Sequence, residues 1–306
     1  MRRTFSRLVV TLRGAFILVA LCWLGLGSAL AAGTLEKLRD SRKFVIGFVP
    51  DGPDQAKGAA TGKATGYAMA LCAKVGEAAR SELKMPALAV ELVQVTAAER
   101  FDALVQGRID LLCGAVPTVQ RRAQVDFSIP IGFVGVNAVV RSDAPVRLVQ
   151  VLSGKEPPAP LVWRGTNAPE RRSIAVVGGT TVERALTDRL NERRIAIEVV
   201  PVKDTAEGVQ AVADRRVTAF MDGRVLLLDA IQRSSAKSSL VLLDKVYKRE
   251  LVALGVRRGD DEFRLMVDQT LSRIYRSGEL ATIYATHLQP LDRAAIEFFE
   301  LVALPE

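Results

Sequence analysis

Short apolar segments alternate with helical patterns along most of the chain, and this alternation constrains the fold more than any other feature. In the first half, strands are predicted at residues 43–49, 89–95 and 109–113, with helices between them. The second half repeats the order, with strands at 173–177, 196–202 and 217–221. Strands that alternate with helices are typical of parallel sheets. We therefore predict an α/β fold made of two similar lobes.

The first 32 residues have the composition of a secretory signal peptide. An apolar run at 16–26 and small residues at 28–32 follow four arginines, Arg2, Arg3, Arg7 and Arg13. The run is too short to span a membrane, so we predict that residues 1–32 are removed after export and that the mature protein resides in the periplasm. A retained N-terminal anchor is the alternative.

The excess of basic over acidic residues does not indicate a nucleic-acid partner. The formal net charge is +8, and four of these charges belong to the arginines of the leader. The other basic residues are scattered among acidic ones, without aromatic interleaving or a nucleic-acid-recognition motif. We expect a mildly basic exported monomer whose ligand is a small molecule.

Two cysteines, Cys72 and Cys113, follow the leader. An even number of cysteines in an exported protein suggests a disulfide, which here would close a loop of about 42 residues and stabilise the fold by roughly 4 kcal/mol. Two buried free thiols are the alternative. The chain has a single histidine, His287, and its cysteines lack metal-ligand spacing, so we predict no metal and no cofactor.

Five motifs in a fixed order carry a family resemblance. They are Gly66-Tyr67, DALVQGRIDLL at 102–112, R-x-x-Q-V-D-F-S-x-P at 121–130, GGTT at 178–181 and SGELATIYATHL at 277–288. Together they resemble the periplasmic solute-binding proteins of amino-acid ABC transporters (type II, family 3), most closely the glutamate/aspartate-binding subgroup. The resemblance implies a two-lobe, Venus-flytrap fold with two hinge strands. Lobe 1 would comprise residues 33–137 and 255–306, and lobe 2 residues 138–254.

The resemblance also implies a set of substrate-binding residues. Arg121 stands where the family binds the α-carboxylate of its ligand, and Thr118 is placed to cap the short helix that carries Arg121. Thr180 and Thr181 open a helix whose N-terminus would receive the carboxylate from the second lobe. Arg100 matches the arginine that binds the distal carboxylate in the subgroup. An ordinary helix cap or a surface ion pair is the alternative for each of them.

The chain departs from the family pattern at several positions. Val116 replaces a hydroxyl-bearing residue, near Gly114, which we also assign to the site. Gly223 stands where the ammonium-binding aspartate belongs, with Asp222 one place earlier. A shift of one residue on a strand turns a side chain to the other face, so Asp222 substitutes only if the strand end is bulged or turned. We therefore expect a small carboxylate ligand, with an acidic amino acid as first candidate.

These features together predict the substrate-binding component of an ABC transporter, which captures a small carboxylate-bearing solute and delivers it to permease subunits in the membrane. We do not expect an enzyme, because no nucleophile–base pair, phosphate loop or metal cluster is recognised. Two alternatives stay open: a dehydratase on the same fold that uses Glu99 or Asp222, and a ligand-sensing subunit for a membrane receptor.

Overall fold

The computed structural model describes residues 33–50, 66–155, 172–288 and 290–305. The predicted signal peptide, residues 1–32, lies outside these ranges. None of the helices within them combines the length and the apolar character that crossing a membrane requires.

Strands and helices alternate through most of the described chain, as the sequence patterns predict. The strands are β1 (Lys43–Phe48), β2 (Ala89–Gln94), β3 (Leu111–Ala115), β4 (Val125–Arg141), β5 (Ser173–Val177), β6 (Glu198–Val202), β7 (Ala219–Gly223), β8 (Leu240–Leu242) and β9 (Lys248–Arg257). The helices are α1 (Thr34–Ser41), α2 (Tyr67–Glu82), α3 (Arg100–Val105), α4 (Val119–Arg122), α5 (Val146–Leu152), α6 (Thr181–Glu192), α7 (Thr205–Ala213), α8 (Arg224–Arg233), α9 (Asp261–Arg276), α10 (Glu279–His287) and α11 (Arg293–Val302).

The described strands form one sheet whose two ends have the same arrangement. At one end β1 lies between β2 and β3 and is parallel to both. At the other end β5 lies between β6 and β7 and is again parallel to both. The full order is β2-β1-β3-β9-β4-β7-β5-β6, with β8 paired to β4. Two parallel three-stranded units, one in each half of the chain, are thus joined by two antiparallel strands.

The joining strand β4 links the two ends because it changes its partner along its length. Val125 to Val136 pair with β9, and Val136 to Val140 pair with β7. Toward its other end β9 pairs with β3, where Gly255 lies opposite Leu112. β4 thus pairs with β7 of the second unit, β9 pairs with β3 of the first, and the two strands pair with each other, which makes them the connections of a two-lobe fold.

The exact lobe boundaries stay a prediction. On β9, residues Val252, Leu254 and Val256 are buried in the same core as Phe44 of β1. This packing favours a boundary on β9 closer to residue 250 than to the predicted division between residues 254 and 255. We propose that shift.

Two strands, β5 and β3, are buried on both faces of the sheet, which explains why they are mostly apolar. All five residues of β5, Ser-Ile-Ala-Val-Val, are buried, and all five of β3 are buried as well. A parallel strand covered by helices on both sides has this uninterrupted burial. In lobe 1, the helices α2 and α9 contribute Leu71 and Phe263 to the core on one face.

The predicted disulfide is confirmed. Cys72 of α2 and Cys113 of β3 are bonded, with their Cα atoms 6.2 Å apart, and both are buried. The pair of free thiols, which was the alternative, is thereby excluded. The bridge attaches α2 to the middle of β3, and the residues that follow Cys113 lead directly into the candidate site.

Replacing both cysteines is expected to lower the free energy of unfolding. In Cys72→Ala/Cys113→Ala the loop is no longer closed in the unfolded chain, and we expect a loss of about 2–5 kcal/mol in urea denaturation. Wild-type protein treated with a reducing agent serves as the control and should approach the stability of the variant. An unchanged urea midpoint after complete reduction would contradict a stabilising role for the bridge.

Candidate functional site

A cavity of about 260 Å³ lies where the two halves of the sheet meet. Its wall contains residues at or just after the carboxyl ends of β1, β2 and β3 from one lobe and of β5, β6 and β7 from the other. The joining strands add Val134, Val136 and Glu250. Ligands of open α/β sheets bind outside the carboxyl ends of the strands. The volume lies just below the usual range for drug-sized ligands, about 300–1,000 Å³, and suits a smaller solute.

Arg121 reaches this cavity from the short helix α4. Thr118 caps the helix, since its hydroxyl oxygen accepts the backbone N–H of Arg121 at 3.1 Å. The guanidinium donates from Nη1 to the carbonyl oxygen of Val116 (2.8 Å) and from Nη2 across the cleft to that of Gly179 (3.4 Å). It also lies over the ring of Phe101, 4.9 Å from the centroid. These contacts fix the arginine against lobe 1 while its charge faces the cleft.

Arg100, at the start of α3, is a buried cation without a counterion among the described residues. Only 8% of the residue is exposed, and its Nε atom is buried without a hydrogen-bond partner. Neither a hydrogen bond nor an ion pair joins its guanidinium to the described chain, although it lies 4.9 Å from the centroid of the Phe101 ring. Burial, and then the positive charge of Arg121, lower the pKa of Arg100 to about 10. The side chain therefore stays charged at neutral pH.

The pKa of Arg121 is also shifted by burial and by neighbouring charges. Burial lowers the pKa of Arg121 most, the carboxylate of Glu250 opposes this shift, and the charge of Arg184 adds to it. Two guanidinium groups therefore repel each other in one water-restricted cavity. A ligand with negative charge would relieve this repulsion, since buried charges require partners.

The second lobe presents the N-terminus of α6 to the cavity. Thr180 caps this helix: its hydroxyl accepts the N–H of Glu183 (3.3 Å) and donates to the carbonyl of Val177 (2.7 Å). The carboxylate of Glu183 accepts the N–H of Gly179 at 2.8 Å, one residue before the N–H of Thr180 that the Thr-x-x-Glu pattern predicts as its donor. The next residue, Thr181, donates its hydroxyl proton to Oε2 of Glu250 at 2.7 Å.

Asp222 lies at the cavity wall, and its carboxylate is engaged by Thr205, which lines the same cavity. Asp222 pairs with Asn137 and Gly223 with Val136, in regular register without a bulge. Because consecutive side chains on a strand alternate between faces, Asp222 does not share the face of Gly223 and Val136. Its carboxylate accepts the Thr205 hydroxyl (2.7 Å) and the Gly223 N–H (2.8 Å). The bulge that would let Asp222 replace an aspartate at 223 is not present in this register.

The structure gathers most of the predicted site residues around one cavity. Those that line it are Arg100, Gly114, Val116, Arg121, Thr180, Thr181 and Asp222. Thr118 acts on the cavity only through the cap it forms for the helix of Arg121. Val116 contributes its backbone carbonyl to Arg121, in place of the missing hydroxyl. The binding roles of these eight residues stay predictions.

Sequence reasoning missed Glu250 and Lys203, which also line the cavity. An acidic residue inside the apolar strand at 248–257 was the available signal for Glu250. Glu99, named as a possible catalytic acid, is not in the cavity wall. Its side chain is exposed and accepts the backbone N–H of Thr96 at 3.0 Å, which lowers the pKa of Glu99.

The position of the cavity and its charged wall agree with comparisons to known proteins. A family model described as bacterial extracellular solute-binding proteins, family 3, matches residues 44–290. The chain belongs to this family. It is a two-lobe solute-binding protein, and the resemblance carried by the five motifs is confirmed.

Individual family members and solved structures agree with this assignment. The L-glutamate/L-aspartate-binding protein of Pseudomonas aeruginosa is 28% identical over 254 residues, which cover 82% of this chain and 78% of that protein. The glutamate/aspartate import solute-binding protein of Escherichia coli is 24% identical over 250 residues, covering 81% and 77%. An ancestral amino acid-binding protein, described as a precursor of cyclohexadienyl dehydratase, superposes with a TM-score of 0.66 at 20% identity, covering 84% and 99%. This last similarity supports the fold.

Replacing Arg100 with methionine is expected to stabilise the ligand-free protein. Methionine retains much of the apolar stem and removes a charge buried without a carboxylate partner in the described chain. Because the pKa of Arg100 is lowered by folding, the charge opposes folding at neutral pH, and this penalty fades only above about pH 10. We expect the free energy of unfolding at pH 7 to rise by on the order of 1–3 kcal/mol in urea denaturation.

Arg108→Met is the matched control for this substitution. In the wild-type protein the Arg108 side chain is 48% exposed, and its Nη2 atom lies 3.6 Å from a carboxylate oxygen of Glu99. Exposed pairs of this kind contribute little, so the control should change stability by less than about 1 kcal/mol. A destabilised Arg100→Met protein beside an unchanged control would contradict the absence of a counterion for Arg100.

Proposed function

We propose that this solute-binding protein captures an acidic amino acid, with L-glutamate and L-aspartate as the first candidates. The observation that carries the proposal is the pair of guanidinium groups, buried in Arg100 and half-buried in Arg121, at one small cavity. Two fixed cations of this kind complement two carboxylates, because guanidinium groups bind carboxylates with paired, charge-assisted hydrogen bonds. Two relatives are named as glutamate- and aspartate-binding proteins, and these names support the same ligand class.

Each arginine would take one end of the ligand. Arg121 is already held against Val116 and Gly179, which orients it for the α-carboxylate between the lobes. The N-terminus of α6 faces the same cavity and favours a negative charge there. Arg100 has no competing partner among the described residues and would bind the distal carboxylate. Its cost of burial in the free protein would then be offset when the ligand binds.

Contacts across the cleft support capture by closure. Arg121 of lobe 1 reaches the Gly179 carbonyl of lobe 2, and the side chains of Arg184 and Gln120 form a hydrogen bond across the cleft. Closing two lobes over a charged solute excludes water and strengthens each electrostatic contact. Two lobes that separate and close in this way would release the solute to a partner that holds them open.

We further propose that the partner is an ABC permease in the membrane and that the mature protein is exported after cleavage of residues 1–32. Membership in a family of extracellular solute-binding proteins supports both statements. A dehydratase on this fold and a sensor subunit are the alternatives. An enzyme would alter its ligand chemically, so recovery of unchanged ligand after long incubation distinguishes binding from catalysis.

The proposal is tested by isothermal titration calorimetry on protein that has been unfolded, dialysed and refolded to remove any ligand carried through purification. L-glutamate and L-aspartate should bind at least about tenfold more tightly than L-glutamine and L-asparagine, since the amides lose one charged hydrogen-bond partner. Arg121→Met should weaken all four ligands, because they share the α-carboxylate. Arg100→Met should reduce the preference for acids over amides.

Arg108→Met is again the control and should retain wild-type affinities. Equal affinity for glutamate and glutamine in the wild-type protein would contradict the proposed ligand. A preference for acids that survives in Arg100→Met would contradict the assignment of the distal carboxylate to Arg100. Chemical conversion of the amino acid would favour the dehydratase alternative.

A further inference from the structure

The cleft needs an acceptor for the ammonium group of an amino acid, and the usual position for it, residue 223, is a glycine. An ammonium group transferred into a closed cleft without a partner would be strongly destabilised. Asp222 has the right chemistry, but its carboxylate already accepts hydrogen bonds from the Thr205 hydroxyl and from the N–H of Gly223. A second carboxylate, on the face of the sheet toward which a side chain at 223 would point, would supply this charge.

Glu250 of β9 lies on that face. It pairs with Val134 of β4, and two residues along β4 Val136 pairs with Gly223. Residues opposite each other in an antiparallel pair share a face, as do residues two apart, so Glu250 and Gly223 point to the same side. The strands β9 and β7 are separated by β4 alone, which places their backbones about 10 Å apart. A Cβ atom at Gly223 would have only the Leu226 side chain within 4 Å among the described residues, so the glycine leaves open space at this part of the cavity wall.

The groups around Glu250 offer hydrogen-bond acceptors to the cavity, which suits a cationic ligand group. The Glu250 side chain is only 4% exposed, and Oε2 accepts the hydroxyl proton of Thr181. A threonine hydroxyl has one proton to donate, so in this arrangement Thr181 offers only its oxygen lone pairs to a further partner. Glu250 and the Thr181 hydroxyl thus present hydrogen-bond acceptors to the cavity. An ammonium group can donate protons to these acceptors, whereas a carboxylate has none to donate.

The remaining contact of Glu250 does not occupy this position. Lys248 places its Nζ 2.7 Å from Oε1, but without the alignment of a hydrogen bond, and Oε1 has no other partner among the residues that the structure describes. Lys248 is 47% exposed and does not line the cavity, so it approaches the carboxylate from outside. Arg121 directs its hydrogen bonds to Val116 and Gly179 instead of Glu250. Glu250 therefore does not fill the proposed carboxylate site itself.

We propose that Glu250, oriented by the Thr181 hydroxyl, is the ammonium acceptor of this protein and sets its preference for amino acids over simple dicarboxylates. This inference rests on the proposed function and assigns a residue to the third charged group of the same ligand. It also gives Thr181 a different role from the predicted one: its hydroxyl orients the amine acceptor, and only its backbone N–H is directed at a carboxylate.

The test compares ligands that differ only in the amine. L-glutamate and glutarate, and L-aspartate and succinate, are titrated calorimetrically into wild-type protein and into Glu250→Gln. The isosteric glutamine can still accept the Thr181 proton but has lost the charge. We expect L-glutamate to lose about 10- to 100-fold in affinity while glutarate is unchanged or binds more tightly, so that the ratio between them collapses.

Two further variants keep this result interpretable. Glu91→Gln makes the same substitution on the exposed strand β2, where Glu91 pairs with Lys43, and should leave both affinities unchanged. Glu250→Asp retains the negative charge and should therefore retain the preference for L-glutamate over glutarate. A purely structural role of Glu250 would not require this result. If Glu250→Gln does not fold, Glu250→Asp decides: a retained preference for L-glutamate over glutarate supports the inference, and loss of that preference with unchanged glutarate binding contradicts it.

Three outcomes would overturn the assignment. An unchanged ratio of L-glutamate to glutarate in folded Glu250→Gln would exclude Glu250 as the amine acceptor. Equal tightening of both ligands would mean that Glu250 competes for Arg121. A ratio that collapses in Asp222→Asn but not in Glu250→Gln would assign the amine to Asp222. Failure of the wild-type protein to bind either acidic amino acid would instead contradict the proposed function, and the inference with it.

Discussion

The antiparallel pairing of β4 and β9 is the constraint on which the rest of the structure depends. Val136 is the residue at which β4 exchanges β9 for β7 as its partner, and the two α/β units diverge from this point. The carboxyl ends of six parallel strands consequently face one another across a single cavity. Had either strand ended inside one lobe, each unit would have kept its own crevice, and no residue from lobe 1 would meet the N-terminus of α6.

The charges in that cavity are unevenly distributed between the lobes. Lobe 1 supplies Arg100 and Arg121, whereas the joining strand and lobe 2 supply Glu250 and Asp222. Lys203 and Asp204 lie 3.8 Å apart and partly balance each other. With the Asp222 carboxylate engaged by Thr205, the two arginines and Glu250 are left for a ligand, and these two cations and one anion complement an amino dicarboxylate. The free protein keeps Arg100 charged at a cost in stability, and binding the ligand would offset that cost.

The sequence predicted those features that depend on short-range patterns. Alternating strands and helices predicted both lobes, the two cysteines predicted the disulfide, and Thr-x-x-Glu predicted the cap of α6. The position of Glu250 depends on which strands β4 contacts, and these partners are more than a hundred residues apart in the chain. The face occupied by Asp222 likewise depends on a regular register between β4 and β7, which no local pattern specifies.

The central claim is that one small ligand contacts Arg121, Arg100 and Glu250 at the same time. A crystal structure of the refolded protein in complex with L-glutamate tests it most directly. We predict the α-carboxylate within hydrogen-bond distance of Arg121, the γ-carboxylate on Arg100 and the ammonium group on Glu250. An ammonium group bound to Asp222, or an Arg100 guanidinium without contact to the ligand, would contradict this account.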